Sequence, residues 1–199
     1  MNLISDKILQ YLVRCDVIDK SEEALEYYKY GIEITLSSAL NIILIILIGL
    51  ISKCFKESLV FLICFVPLRQ FTGGYHADSY FKCNTMFSAL FILLLIVYKY
   101  TFFRIKLYGC ILLFVFSMSV IISECPAENS NKPLTPVQRR INKIMSVILG
   151  LLYGITGVVL KVLSYDIGAI LLYTLILISL LVIAAALKRE RGERNEKGS

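Results

Sequence analysis

A single histidine, His76, serves the whole 199-residue chain, and the six cysteines (15, 54, 64, 83, 110 and 125) contain no C-x-x-C pair. Those two shortages leave no ligand set for a metal site, which needs several imidazoles or thiolates at close spacing. Charge is scarce as well, at 18% of residues against 57% hydrophobic. One soluble core of this size could not hide so much apolar side chain, and a mean hydropathy of +0.73 puts the chain in a membrane. The interiors of the apolar runs offer only Asn41 and scattered hydroxyls. A transporter is expected to carry ionisable groups along its path, so a non-enzymatic transporter or signalling partner is the rival class rather than the first reading.

Runs near the 17 to 25 residues that cross a bilayer fall at 31–51, 107–122, 144–163 and 166–187. Two shorter runs, 58–68 and 84–98, need their polar flanks or neighbouring helices to cross. The fold class is therefore all-α, a polytopic bundle of about six transmembrane segments. Counting Lys and Arg in alternate connections gives fifteen on one side and six on the other. The positive-inside rule then puts both termini, the 69–83 stretch and the 124–143 loop on the cytoplasmic face of a multi-pass cell-membrane protein.

Ile4, Ile8, Leu12 and Cys15 recur at helical spacing, with Asp6, Lys7, Arg14 and Asp16 on other faces, so an amphipathic interfacial helix precedes the first span. Charges interrupt this segment and no small-residue cleavage site follows, so a cleavable signal peptide is not expected. The organisation reads as an amphipathic region over 1–30, one integral membrane catalytic domain over 31–187, and a charged cytoplasmic tail over 188–199, solvated and disordered. No nucleic-acid partner and no cofactor are expected.

Cysteines such as Cys64 and Cys110 sit in the expected spans, where a thiol behaves as a small hydrophobe. Cys83 has different neighbours, in 69-RQFTGGYHADSYFKC-83. Thiol chemistry requires a thiolate, which a base, a cation or a helix N-terminus favours. His76, Lys82 and a helix start after Cys83 are the candidates. Histidine can also return the proton to a leaving amine, because it titrates near neutral pH. On a continuous helix His76 and Cys83 would lie about 10.5 Å apart along the axis, too far to act together. Either the helix breaks between His76 and Cys83 or the pair does not act together directly; Gly73 and Gly74 favour the break just upstream, and leave N–H groups free to hold an oxyanion. Chemistry alone equally allows a polar surface loop in which the glycines only turn the chain.

A second polar connection runs 123-SECPAENSNKPLTPVQRR-140. Thr135 as N-cap, Pro136 at the first helical position and Gln138 three residues on predict a capping-box helix start. Arg139, Arg140 and Lys143 would then meet anionic lipid.

Together, RQFTGGYHADSYFKC and CPAENSNKPL, in that order in a polytopic chain of this length, resemble the accessory gene regulator B family. The specificity lies in G-G-x-H with a cysteine seven residues after the histidine. Members are membrane cysteine endopeptidases that process precursors of cyclic peptide pheromones in Gram-positive bacteria. The resemblance implies Cys83 as nucleophile and His76 as general base and acid. It makes Arg69 and Gly74 motif positions, and Lys132 and Pro133 the core of the second motif. It implies cleavage of a membrane-bound precursor peptide through a thioester, then closure to a thiolactone or lactone for quorum sensing. A basic face with Lys132, Arg139 and Arg140 suits an acidic discarded tail. The partners implied are that precursor, the bilayer and a second copy in a homodimer. Cys125 stands where an alanine is more usual.

Overall fold

The computed structural model describes residues 2–15, 18, 21–73, 80–101, 105–127 and 134–196. They hold seven helices: α1 (Asn2–Arg14), α2 (Glu22–Ile51), α3 (Phe55–Thr72), α4 (Tyr80–Thr101), α5 (Leu107–Glu124), α6 (Pro136–Val162) and α7 (Ile167–Glu196). Five of these, α2 and α4 to α7, are long and apolar enough to cross a membrane. This is a multi-pass helical membrane protein. The sixth expected segment, α3, carries Lys56, Glu57 and Arg69 within its 18 residues. It is sheltered by packing on α2, α6 and α7, with Phe61, Cys64 and Leu68 fully buried.

At the centre stands α7, which touches α3, α4, α5 and α6. Ile170, Leu172, Leu175, Ile178 and Val182 make it the core of the bundle. Its two buried hydroxyls are satisfied within the helix, Thr174 donating to Ile170 O (2.7 Å) and Ser179 to Leu175 O (2.9 Å). Such back-bonding lets a polar side chain sit in an apolar core without an orphan donor.

Close approach to α6 is made possible by a stripe of small residues, Ser146, Gly150, Gly154 and Gly157, all buried. A Cβ at Gly154 would lie 2.0 Å from the Phe114 ring of α5, and one at Gly168 of α7 would lie 2.6 Å from the Gly157 carbonyl. Small residues at helix contacts bring backbones together where lipid supplies no hydrophobic drive between helices.

Pro67 stands inside α3 and has no N–H to give the carbonyl four residues back. That carbonyl belongs to Ile63, and the Tyr153 hydroxyl of α6 donates to it at 3.1 Å. An orphan acceptor in the apolar layer is thus turned into a link between α3 and α6.

Two expectations need correction at the ends. α2 begins at Glu22, ahead of the expected start at 31, because α1 packs on its first turns through a Lys29–Asp6 ion pair (2.7 Å) and a Ser5 to Glu33 hydrogen bond (3.2 Å). The tail expected to be disordered from 188 continues α7 to Glu196. Its Lys, Arg and Glu are good helix formers and extend a helix already nucleated by packing.

The packing predicts opposite responses at two glycines. Gly168→Val should lower stability by about 1–3 kcal/mol through overpacking against backbone. Gly31→Ala, with no atom within 4 Å of its added Cβ, should leave stability unchanged or raise it by up to about 1 kcal/mol. Reversible unfolding in mixed micelles measures both; equal stability of Gly168→Val and the parent would contradict the α6–α7 contact.

Candidate active site

Aromatic rings bridge α3 and α4, which run antiparallel. Phe61 meets Phe91 at 4.7 Å between centroids, and Phe65 meets Phe87 at 4.8 Å. Each rung steps four residues along both helices, which keeps it on one face. One more step of four toward the α3–α4 connection would pair Arg69 with Cys83. The Arg69 guanidinium lies within electrostatic range of the Cys83 and Cys125 thiols. Cys83 is a free, half-buried thiol in the first turns of α4. The helix starts at Tyr80, so Cys83 is inside it, whereas the sequence reading placed the helix start after Cys83.

The helix break predicted at the glycine pair begins at Gly73, which follows Thr72 with φ +65°, open mainly to glycine. The carbonyls freed as α3 ends find partners. Ala127 N–H donates to Thr72 O at 2.8 Å, and Gly73 and Ala127 form an isolated parallel bridge. Arg69 Nη1 donates to Gly73 O, and the buried Thr72 hydroxyl donates to the same oxygen at 3.3 Å. A Cβ on Gly73 would lie 2.2 Å from Ala127 O. The two polar stretches of the sequence, far apart along the chain, therefore meet at the end of α3.

Cys125 caps α5 beside this junction and is 4% exposed. Burial pushes its thiol up to about 12, against the opposing pull of Lys143 and Arg69. The Lys143 ammonium donates to Ile122 O at the end of α5, where the helix leaves carbonyls unpaired. The capping box forms as predicted: Gln138 N–H donates to Thr135 Oγ1 (3.3 Å) and Thr135 N–H to Gln138 Oε1 (3.1 Å), with Pro136 in the first turn.

Among the residues singled out from sequence, Arg69, Gly73 and Cys83 are brought to one end of α3 and α4. Arg139 and Arg140 are exposed in the first turns of α6. Gly74, His76, Lys132 and Pro133 lie outside the described residues. Sequence reasoning missed Ala127 as the docking residue, because a short apolar side chain carries no chemistry of its own. The phenylalanine rungs were legible as the i, i+4 pairs 61/65 and 87/91.

The profile of accessory gene regulator B matches residues 5–186. AgrB-like protein 1 of Clostridium perfringens strain 13 is 32% identical over 156 residues, covering 77% of this chain and 81% of its own. Protein FsrB of Enterococcus faecalis is 20% identical over 181 residues, covering 91% and 73% respectively. An AgrB-like protein of Listeria monocytogenes is 23% identical over 163 residues, covering 80% and 76%. No solved structure matches.

A buried thiol raised to about 12 predicts that alkylation of Cys125 by iodoacetamide keeps accelerating with pH well beyond the usual cysteine range, since only the thiolate reacts. Gly73→Ala should undock Ala127 and speed that alkylation at pH 8 by roughly tenfold or more, a free-energy change of about 1.4 kcal/mol. Mass spectrometry of the labelled thiols checks both, and unchanged protection of Cys125 in Gly73→Ala would contradict the docking.

Proposed function

Because the chain belongs to the accessory gene regulator B family, whose members act in quorum sensing, we propose that it is a membrane-embedded cysteine endopeptidase that matures a pheromone precursor. Cys83 Sγ attacks the carbonyl carbon of the scissile peptide bond while His76 accepts the thiol proton. The tetrahedral intermediate collapses, His76 gives that proton to the departing amine, and the peptide remains as a thioester on Cys83. A cysteine thiol or serine hydroxyl within the bound peptide then attacks the thioester, releases Cys83 and closes a thiolactone or lactone ring. A thioester keeps enough acyl activation for this second transfer, which a free acid would not.

The observation that carries this reading is the Arg69–Cys83 rung beside the docked second polar stretch. It sets the thiol within electrostatic range of a guanidinium, in the first turns of α4. Arg69 is also engaged with Gly73 O, so its position is fixed before substrate arrives. Holding a lipid-bound precursor on the same surface converts a dilute encounter into a local one and limits hydrolysis of the acyl enzyme. Cytoplasmic placement of the site and both termini in the cell membrane, and a homodimer, belong to the same proposal. Lys132, Arg139 and Arg140 would attract the acidic segment that is discarded.

Coexpression with a candidate precursor tests the assignment. Cys83→Ala and His76→Ala should abolish processing, and a chain lacking the other five cysteines should retain it. Processing by Cys83→Ala would falsify the mechanism. Reversing the charge of Lys132, Arg139 and Arg140 together should raise KM several-fold, by roughly 1 kcal/mol of lost attraction, and unchanged cleavage would remove that role.

A further inference from the structure

The residue after Cys83 is a carboxamide in a place that should repel one. Asn84 is 5% exposed inside an apolar span, where an uncompensated amide is costly. Its Oδ1 accepts from Ser37 Oγ at 2.7 Å and from Asn41 Nδ2 at 3.0 Å. Both donors lie on α2, four residues apart and hence on one face of it. Because Asn84 Oδ1 can only accept, Asn41 must present its nitrogen, and its own Oδ1 is left buried without a partner. Stability alone would select against that arrangement, since replacing such a cluster by apolar side chains is often neutral or better.

Position explains it. Cys83 and Asn84 are neighbours about 100° apart around α4, one on the face that meets the phenylalanine rungs of α3, the other on the face that meets α2. The first turns of a helix hold the fewest intrahelical bonds and fray most readily. The rings alone fix α4 from one side and tolerate sliding, because stacked hydrocarbon has little directionality. Two directional hydrogen bonds from the second side fix both the rotation and the axial height of the turn that presents Cys83.

Resting on the nucleophile reading above, we infer that Asn84 is a positioning residue for Cys83, acting through its hydrogen bonds to Ser37 and Asn41 of α2. It holds the thiol against Arg69 and in line with the carbonyl to be attacked. The substrate does not touch it.

The test uses the full chain in phospholipid vesicles with the five other cysteines replaced, leaving Cys83 as the sole thiol. Asn84→Leu should lower kcat for a candidate precursor by roughly tenfold or more while KM stays within about twofold, as misplacement of a reacting atom does. It should also speed alkylation of Cys83 by iodoacetamide by about threefold or more, a precursor-free readout of a loosened first turn. Ser37→Ala with Asn41→Leu should give the same loss, and adding Asn84→Leu to that pair should make it no worse, as a shared interaction requires. Exchanging the partners, Ser37→Asn with Asn84→Ser, should recover kcat at least in part.

Full kcat in Asn84→Leu overturns the inference. So does a loss that comes as raised KM with a lowered melting temperature, which would mark Asn84 as merely structural. Cys83→Ala run in parallel separates the two readings. Cleavage by Cys83→Ala removes the proposed function and this inference with it, whereas an inactive Cys83→Ala beside a fully active Asn84→Leu removes the inference alone.

Discussion

The hydrogen bond from Ala127 N–H to the Thr72 carbonyl joins the two parts of the chain that carry nearly all its polar chemistry. A helix that ends at a membrane leaves carbonyls without partners, and in such a setting each must find one. Thr72 and Gly73 find theirs in the backbone of Ala127 and in the Arg69 side chain. One consequence is that Arg69 is held where it can face Cys83. Another is that the chain just after α5 is tied, at Ala127, to the end of α3.

The same accounting runs through the bundle. Tyr153 serves the carbonyl that Pro67 cannot serve, Lys143 serves the end of α5, and the hydroxyls of α7 serve their own helix. Few of these bonds are strong singly, at about 1 kcal/mol net each. Their collective effect is directional. Apolar surfaces in lipid slide and rotate against one another at little cost, and polar links set which rotation is adopted.

Sequence showed the helical class, most of the spans, the break at Gly73, the capping box at Thr135 and the thiol worth watching, because each depends on local periodicity or backbone grammar. It put the start of α4 too late: Asn84 to Tyr98 is the apolar part, while Tyr80–Cys83 is helical for reasons of position rather than hydropathy. It gave 58–68 as a short segment that needs polar flanks or neighbouring helices to cross, and α2, α6 and α7 are the neighbours that shelter α3. Asn41 stands out as the one carboxamide of its run, among hydroxyls; that its partner is the neighbour of Cys83 is a tertiary fact. The docking of Ala127 was equally out of reach, being made by backbone atoms that every residue possesses.

The proline and the glycine of α3 also limit how this protein can change. Pro67 fixes the turn whose free carbonyl is taken by Tyr153, and six residues later Gly73 fixes the turn taken by Ala127. Between two such anchors the helix has no slack. Inserting or deleting one residue there would rotate everything beyond it by about 100° and shift it by about 1.5 Å, turning Arg69 off Cys83. Length variation among descendants of this chain should therefore collect in the connections remote from this segment, and the interval from 67 to 73 should act as a ruler whose markings cannot be respaced.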